Sequence, residues 1–271
     1  MAVSKEQKQL FAQMIKPYKT CAEDIKKEIS TLKAVSRKNP KLEPYFTFKI
    51  SVLSVQRANT LVLMSRLSQE IQNIKNDSYL NDARREVNGQ IGDICKIVGE
   101  DIDAGLTDNQ EAMATIVEFK PVQRLHLLQG FKQALEAIKT SMGQTSKWRW
   151  SFPDAHLKLT TLARNLLDFK QFDRTKDPND ENYRPLQEYM RFLQEESHLA
   201  AEEFRQKYEL STKDVSDLQR LQRIFEFQKR LFTFTGQRDE LDRVQARLDN
   251  VKEMVESLIG DKGDKKGKKK K

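Results

Sequence analysis

Residues 4–35 read SKEQKQLFAQMIKPYKTCAEDIKKEISTLKAV, and their spacing decides the fold class. Phe11, Tyr18, Ile25 and Leu32 recur every seven residues. They are flanked on one side by Met14, Cys21 and Val35 and on the other by Ile15, Ala22 and Ile29. Apolar residues therefore occupy about three of every seven positions, the width of stripe that a bundle helix buries. Ser4 followed by Gln7 has the form of a capping box that would open this helix. Pro17 should kink or restart it, because proline removes a backbone donor and crowds the preceding turn. Cys21 on this stripe, and Cys95 beside the apolar face of a later helix, read as buried structural thiols.

The same period continues along the chain. Pro40 and Pro44 punctuate the first boundary, and a second helix is expected to about Asn76. A third, over about Ser78 to Ala104, would place Leu80, Val87, Ile91, Ile94, Val98 and Ile102 on one face. Gly105 would end it, and Thr107 with Gln110 would cap a fourth helix running to about Met142 and broken at Pro121. Long helices with short connections imply a four-helix bundle over residues 1–143. Residues 144–152 form an aromatic and basic connector. Helices opened by Pro153 and Pro185 follow, then a seventh from Lys213 to Ile259, about 70 Å long by helix rise. In that last helix Leu241, Val244, Leu248, Val251, Val255 and Leu258 keep a coiled-coil-like spacing. Leu218, Leu221, Phe225 and Phe232 follow a seam offset by two, with Gly236 between the registers. The expected architecture is all-α and elongated. A four-helix bundle precedes a three-helix bundle over 153–260 and a disordered Lys-rich tail over 261–271.

Composition limits the function classes. Apolar residues make up 38% of the 271 positions, too many for a disordered chain. No apolar run approaches the ~18 residues of a membrane span, and no secretory signal opens the chain, so a cytoplasmic protein is expected. Two cysteines cannot build a disulfide framework. Of the net charge of +8, the last eleven residues carry +5 through seven Lys and two Asp, leaving a nearly neutral body. That argues against a body evolved to track phosphates.

Chemistry is sparse. None of the ten glycines sits in a phosphate-binding loop, and His126, His156 and His198 lie on separate expected helices. Glu195 and His198 have the Glu-x-x-His spacing of di-iron bundles, but no second copy of that motif exists. No catalytic residue, cofactor or metal is expected.

Three interaction features remain. Trp148, Arg149, Trp150 and Phe152 gather both tryptophans in the connector, and Trp and Arg are favoured interface anchors. Phe225 and Phe232 lie on one line of the last helix and Phe227 and Phe234 on another, so that Phe227 and Phe234 could face a partner. Lys265, Lys266, Lys268, Lys269, Lys270 and Lys271 form an electrostatic anchor for nucleic acid, an anionic surface or an acidic protein. The combination implies a non-catalytic structural or scaffolding protein, a helical subunit or coat component of a filament or larger assembly. Its partners would be other protein subunits, identical or different. A nucleic-acid- or anionic-surface-binding protein acting through the tail is the alternative. Removing residues 261–271 should leave the thermal unfolding midpoint unchanged, because Lys, Gly and Asp have no apolar surface to bury.

Overall fold

The computed structural model describes residues 3–267, with side chains described to residue 260. Every regular element among them is helical: α1 Lys5–Lys38, α2 Glu43–Gln72, α3 Asp77–Val98, α4 Gln110–Thr115, α5 Pro121–Met142, α6 Phe152–Asn165, α7 Phe169–Arg174, α8 Tyr183–Lys207, α9 Val215–Thr235 and α10 Arg238–Gly267. The protein is an all-α helical bundle protein.

The chain divides into two compact units, Met1–Glu100 with Glu111–Ala155, and Asp101–Gln110 with His156–Lys271. In the first, α1 packs on α2, α2 on α3, and α5 against both α2 and α3. Ser4 and Gln7 do form the reciprocal capping box, and α1 runs unbroken through Pro17. The helix α2 buries residues on several sides, among them Phe48, Ile50, Ala58, Leu61, Val62 and Met64. Arg57 of α2 donates to the Ala22 carbonyl of α1 and pairs with Glu86 of α3, linking three helices through one side chain. Burial holds the Glu86 carboxyl above its usual pKa in spite of that arginine.

The segment 101–110 departs from the sequence reading. The third helix ends at Val98 and the next begins at Gln110, so Thr107 lies in a turn instead of capping a long fourth helix. The segment belongs to the second unit, outside the expected bundle of residues 1–143, and polar groups fix it there. Arg164, fully buried, donates to the carbonyls of Ala104 (2.8 Å) and Gly105. Arg230 donates to the Ile102 carbonyl at 2.9 Å, and Arg223 bridges Asp101 and Asp103. In the other direction the Asn109 amide donates to the carbonyls of Asn165 and Leu167, at 2.8 and 3.0 Å. A buried donor or acceptor that loses its partner costs about 1–3 kcal/mol. The loop conformation is therefore set by side chains far away in sequence.

The expected seventh helix is two. Gly236 adopts φ +70°, its N–H bonds back to the last turn of α9, and α10 folds back onto α9. The two offset seams are thus the facing sides of a helical hairpin. Leu218, Leu221, Phe225 and Phe232 share one core with Val244, Leu248, Val251 and Val255, and with Ala200 and Phe204 of α8. No single 70 Å helix exists. The backbone of α10 continues past residue 260, where the tail was expected to begin, to Gly267. The side chains of Lys265 and Lys266, and the whole of Lys268 to Lys271, lie outside the described residues.

A Cβ at Gly236 would meet no neighbouring atom, so its role is conformational. Gly236→Ala should cost about 1–2 kcal/mol through the left-handed backbone alone. That corresponds to a fall of roughly 2–8 °C in the melting midpoint. Gly236→Asn should lose clearly less, since Asn tolerates this conformation. Calorimetry of the two variants checks both.

Candidate interaction surfaces

On α1 the three-line apolar stripe is only partly covered. Ile15, Ala22 and Ile29 are 2, 5 and 8% exposed, and Phe11, Tyr18, Ile25 and Leu32 are half-buried. The third line faces solvent, with Met14 at 45%, Val35 at 39% and Cys21 exposed, and neighbouring Leu10 is 50% exposed. The expectation of a buried Cys21 is corrected: Cys21 is exposed, beside the line of Ile15, Ala22 and Ile29 that is buried. Cys95 is buried.

Between α2 and α5 runs an open, mainly apolar groove of about 450 Å³. Tyr45, Phe48, Val52, Val55, Phe119 and Leu127 line it, and Gly130 keeps its floor low. Phe48 stacks on Phe119 with ring centroids 4.1 Å apart.

The connector residues form a compact turn at one end of the first unit, with Arg149–Ser151 in 3-10 conformation. The parity of an extended strand therefore does not apply to Trp148 and Trp150. Arg84 and Lys147 flank Trp148, 4.4 and 5.3 Å from its ring, and Arg149 stacks on Trp150 at 4.5 Å. Burial first, and then Arg85, holds the Arg84 guanidinium below its ordinary pKa. Trp148, Arg149 and Trp150 are half-buried, whereas Phe152 is fully buried and belongs to the core.

Phe227 is likewise fully buried, and Phe234 is half-buried with its ring edge-on to Phe169 at 5.4 Å and tilted to Phe172 at 6.0 Å. Phe152 and Phe227 are therefore packing residues and cannot meet a partner. A helix apolar on opposite sides is here sandwiched inside its own unit.

The polar centre of the second unit escaped the sequence reading. His156 of α6 and Glu196 of α8 are both completely buried, with Nδ1 2.6 Å from Oε1. Thr160 donates to the carbonyls of His156 and Glu196, and Gln228 of α9 donates to Ser197. Glu196 falls on the inward stripe of α8 with Leu186, Tyr189, Leu193, Ala200 and Phe204, and that period is the signal that could have found it. The other ring nitrogen, His156 Nε2, is buried with no hydrogen-bond partner among the described residues. Neither side chain of the pair has exposed surface. Of the Glu195–His198 motif, Glu195 is exposed, and the half-buried His198 ring lies 5.8 Å from Phe232. No group of three His, Cys, Asp or Glu side chains among the described residues could hold a metal ion. Nor is any helix of the described residues long and apolar enough to cross a membrane.

The model of the TP0443 family matches residues 7–259. The chain belongs to the TP0443 family. The matched span covers all of the α1 stripe and stops short of the lysine block. No curated protein and no solved structure matches the chain.

His198 gives this family member a pH dependence with a definite sign. Burial lowers its pKa, followed by an opposing contribution from Glu240 and a reinforcing one from Arg247. The folded state thus favours the neutral ring, and the unfolded chain binds the proton more tightly. Stability should be fully present above the ordinary histidine pKa, about 6.5, and be lost as pH falls through the lowered folded value. Denaturant unfolding of wild type and His198→Gln at pH 7.5 and 5.5 should show a smaller acid loss in the variant.

Proposed function

We propose that the protein is a non-catalytic structural subunit that works by contacting other protein chains. One observation carries this reading: on the outward line of α1, Met14, Cys21 and Val35, with Leu10 beside it, are exposed, the line being interrupted by Glu28, which pairs with Lys49 of α2. Scattered apolar residues are ordinary on a protein surface, whereas an aligned series along one helix marks an interaction face. The groove between α2 and α5 adds a second uncovered apolar surface to the same unit. The completely buried His156–Glu196 pair supports a role in packing.

Cys21 makes the reading testable, since it lies on the line and is exposed, while Cys95 is buried. In intact cells a thiol-reactive maleimide should label Cys21 at least about tenfold more slowly than in the dilute purified protein. Met14→Lys should abolish that protection. Labelling of Cys21 in cells at the rate of the dilute protein would overturn the proposal.

A further inference from the structure

The first unit has a second concavity, which shares no residue with the groove between α2 and α5. It lies where the end of α1, the 3-10 turn Pro40–Leu42, the start of α2 and the last turns of α3 meet. Its volume is about 650 Å³, within the range of small-molecule sites. Lys33 and Arg37 of α1, Lys41 of the turn and Lys96 of α3 line it, against two acids, Glu43 and Asp93. Lys96 pairs with Asp93 at 2.8 Å, and Asp93 also accepts from the buried Gln90. The side chains of Lys33, Arg37 and Lys41 make no ion pair and no hydrogen bond among the described residues. Lys33 acts on the Arg57–Glu86 pair only at a distance.

The charge excess is written in the sequence. Residues 29–42 contain Lys33, Arg37, Lys38 and Lys41 and neither Asp nor Glu, which is +4 in fourteen residues. Residues 1–260 together carry only +3, the +8 of the chain less the +5 of its last eleven residues. A cation in the last turn of a helix is favoured by the helix dipole, which accounts for Arg37 and Lys38. That effect reaches neither Lys33, a turn further back, nor Lys41, beyond the end of the helix. Ile50, Ile97, Pro40 and Pro44 supply an apolar part of the same lining.

We infer that this cleft binds an organic diphosphate, two linked phosphates carried on an apolar or aromatic group. A cleft lined by one sign of charge concentrates ions of the other sign. A guanidinium bonds phosphate through two parallel N–H donors, and ammonium groups add point charges beside it. Set against the carboxylate of Glu43, the three cations leave an excess of two, which a diphosphate neutralises and a monoanion does not. Inorganic phosphate would leave the isoleucine and proline surface uncovered, whereas a nucleoside has a flat apolar group to lay on it. None of these side chains is among the exposed residues Leu10, Met14, Cys21 and Val35, so the site stands or falls independently of the structural-subunit reading.

Isothermal titration of the full-length protein at about 0.15 M salt tests this. Adenosine diphosphate should bind once per chain with a Kd of about 1 mM or tighter. Inorganic pyrophosphate and adenosine, the two halves of that ligand, should each bind at least about threefold more weakly. Lys33→Gln combined with Arg37→Gln should weaken the diphosphate at least about tenfold with the melting midpoint preserved, since both side chains are exposed. Lys41→Gln alone should weaken it at least about threefold. Two controls keep the tail and remove or spare the same charge elsewhere. Lys16→Gln with Lys19→Gln, exposed positions of α1 outside the cleft, should leave the affinity within about twofold. So should glutamine at Lys265, Lys266 and Lys268 to Lys271. Absence of saturable binding would overturn the inference. Equal weakening by either control would do so too, by showing attraction to net charge alone. Pyrophosphate or adenosine binding as tightly as the diphosphate would also overturn it, because one wall of the cleft would then be idle.

Discussion

The first unit depends on α2 being apolar around most of its circumference. Such a helix is unstable against water unless neighbours surround it, and at about 25 cal/mol per Å² of apolar surface the incentive to surround it is large. The helices α1, α3 and α5 take up those positions, and Arg57 ties two of them to the centre through a carbonyl and a carboxylate. Covering one central helix has a geometric result for the outermost one. Among the described residues of its own unit α1 packs chiefly on α2, so a stripe wide enough to face two neighbours faces one.

The second unit solves a different problem. Its core contains the polar groups of His156, Glu196, Thr160, Ser197 and Gln228 amid phenylalanine and leucine side chains. Their bonds run between α6, α8 and α9, so helices slipped by a turn would break several together. Apolar surfaces alone tolerate such slips, since one leucine fits much like another. The fully buried Arg164 acts similarly on an irregular segment: its donors match the carbonyls of 104 and 105, which no helix satisfies.

Helical periodicity made the class of fold legible, down to the capping box at Ser4 and Gln7. Periodicity identifies apolar faces but does not say which neighbour covers each, and so Cys21 was placed inside with its stripe. In residues 213–259 the decisive sign was already present in the change of seam at Gly236. A shift of register with a glycine at the joint can mean a new neighbour or a reversal of direction. Only the positive φ at Gly236 separates the two. The segment 101–110 was beyond local reasoning altogether, because Asp101 and Asp103 find their arginine more than a hundred residues away. Phe152 and Phe227 looked like anchors for a partner because aromatic residues serve interfaces and cores equally well.

The attachment of residues 101–110 to the second unit also bears on how the chain is made. Arg223 follows Asp103 by 120 residues. At synthesis rates of about 5–20 residues per second, that separation is roughly 6–24 s. During this interval α1, α2 and α3 have left the ribosome, while the carboxylates of Asp101 and Asp103 and the carbonyl of Ile102 still lack their arginines. The N-terminal helices can assemble early, but the second unit can close only when residues on both sides of α4 and α5 are present together. The order of assembly is therefore interleaved, and no single cut in the connector yields two intact halves.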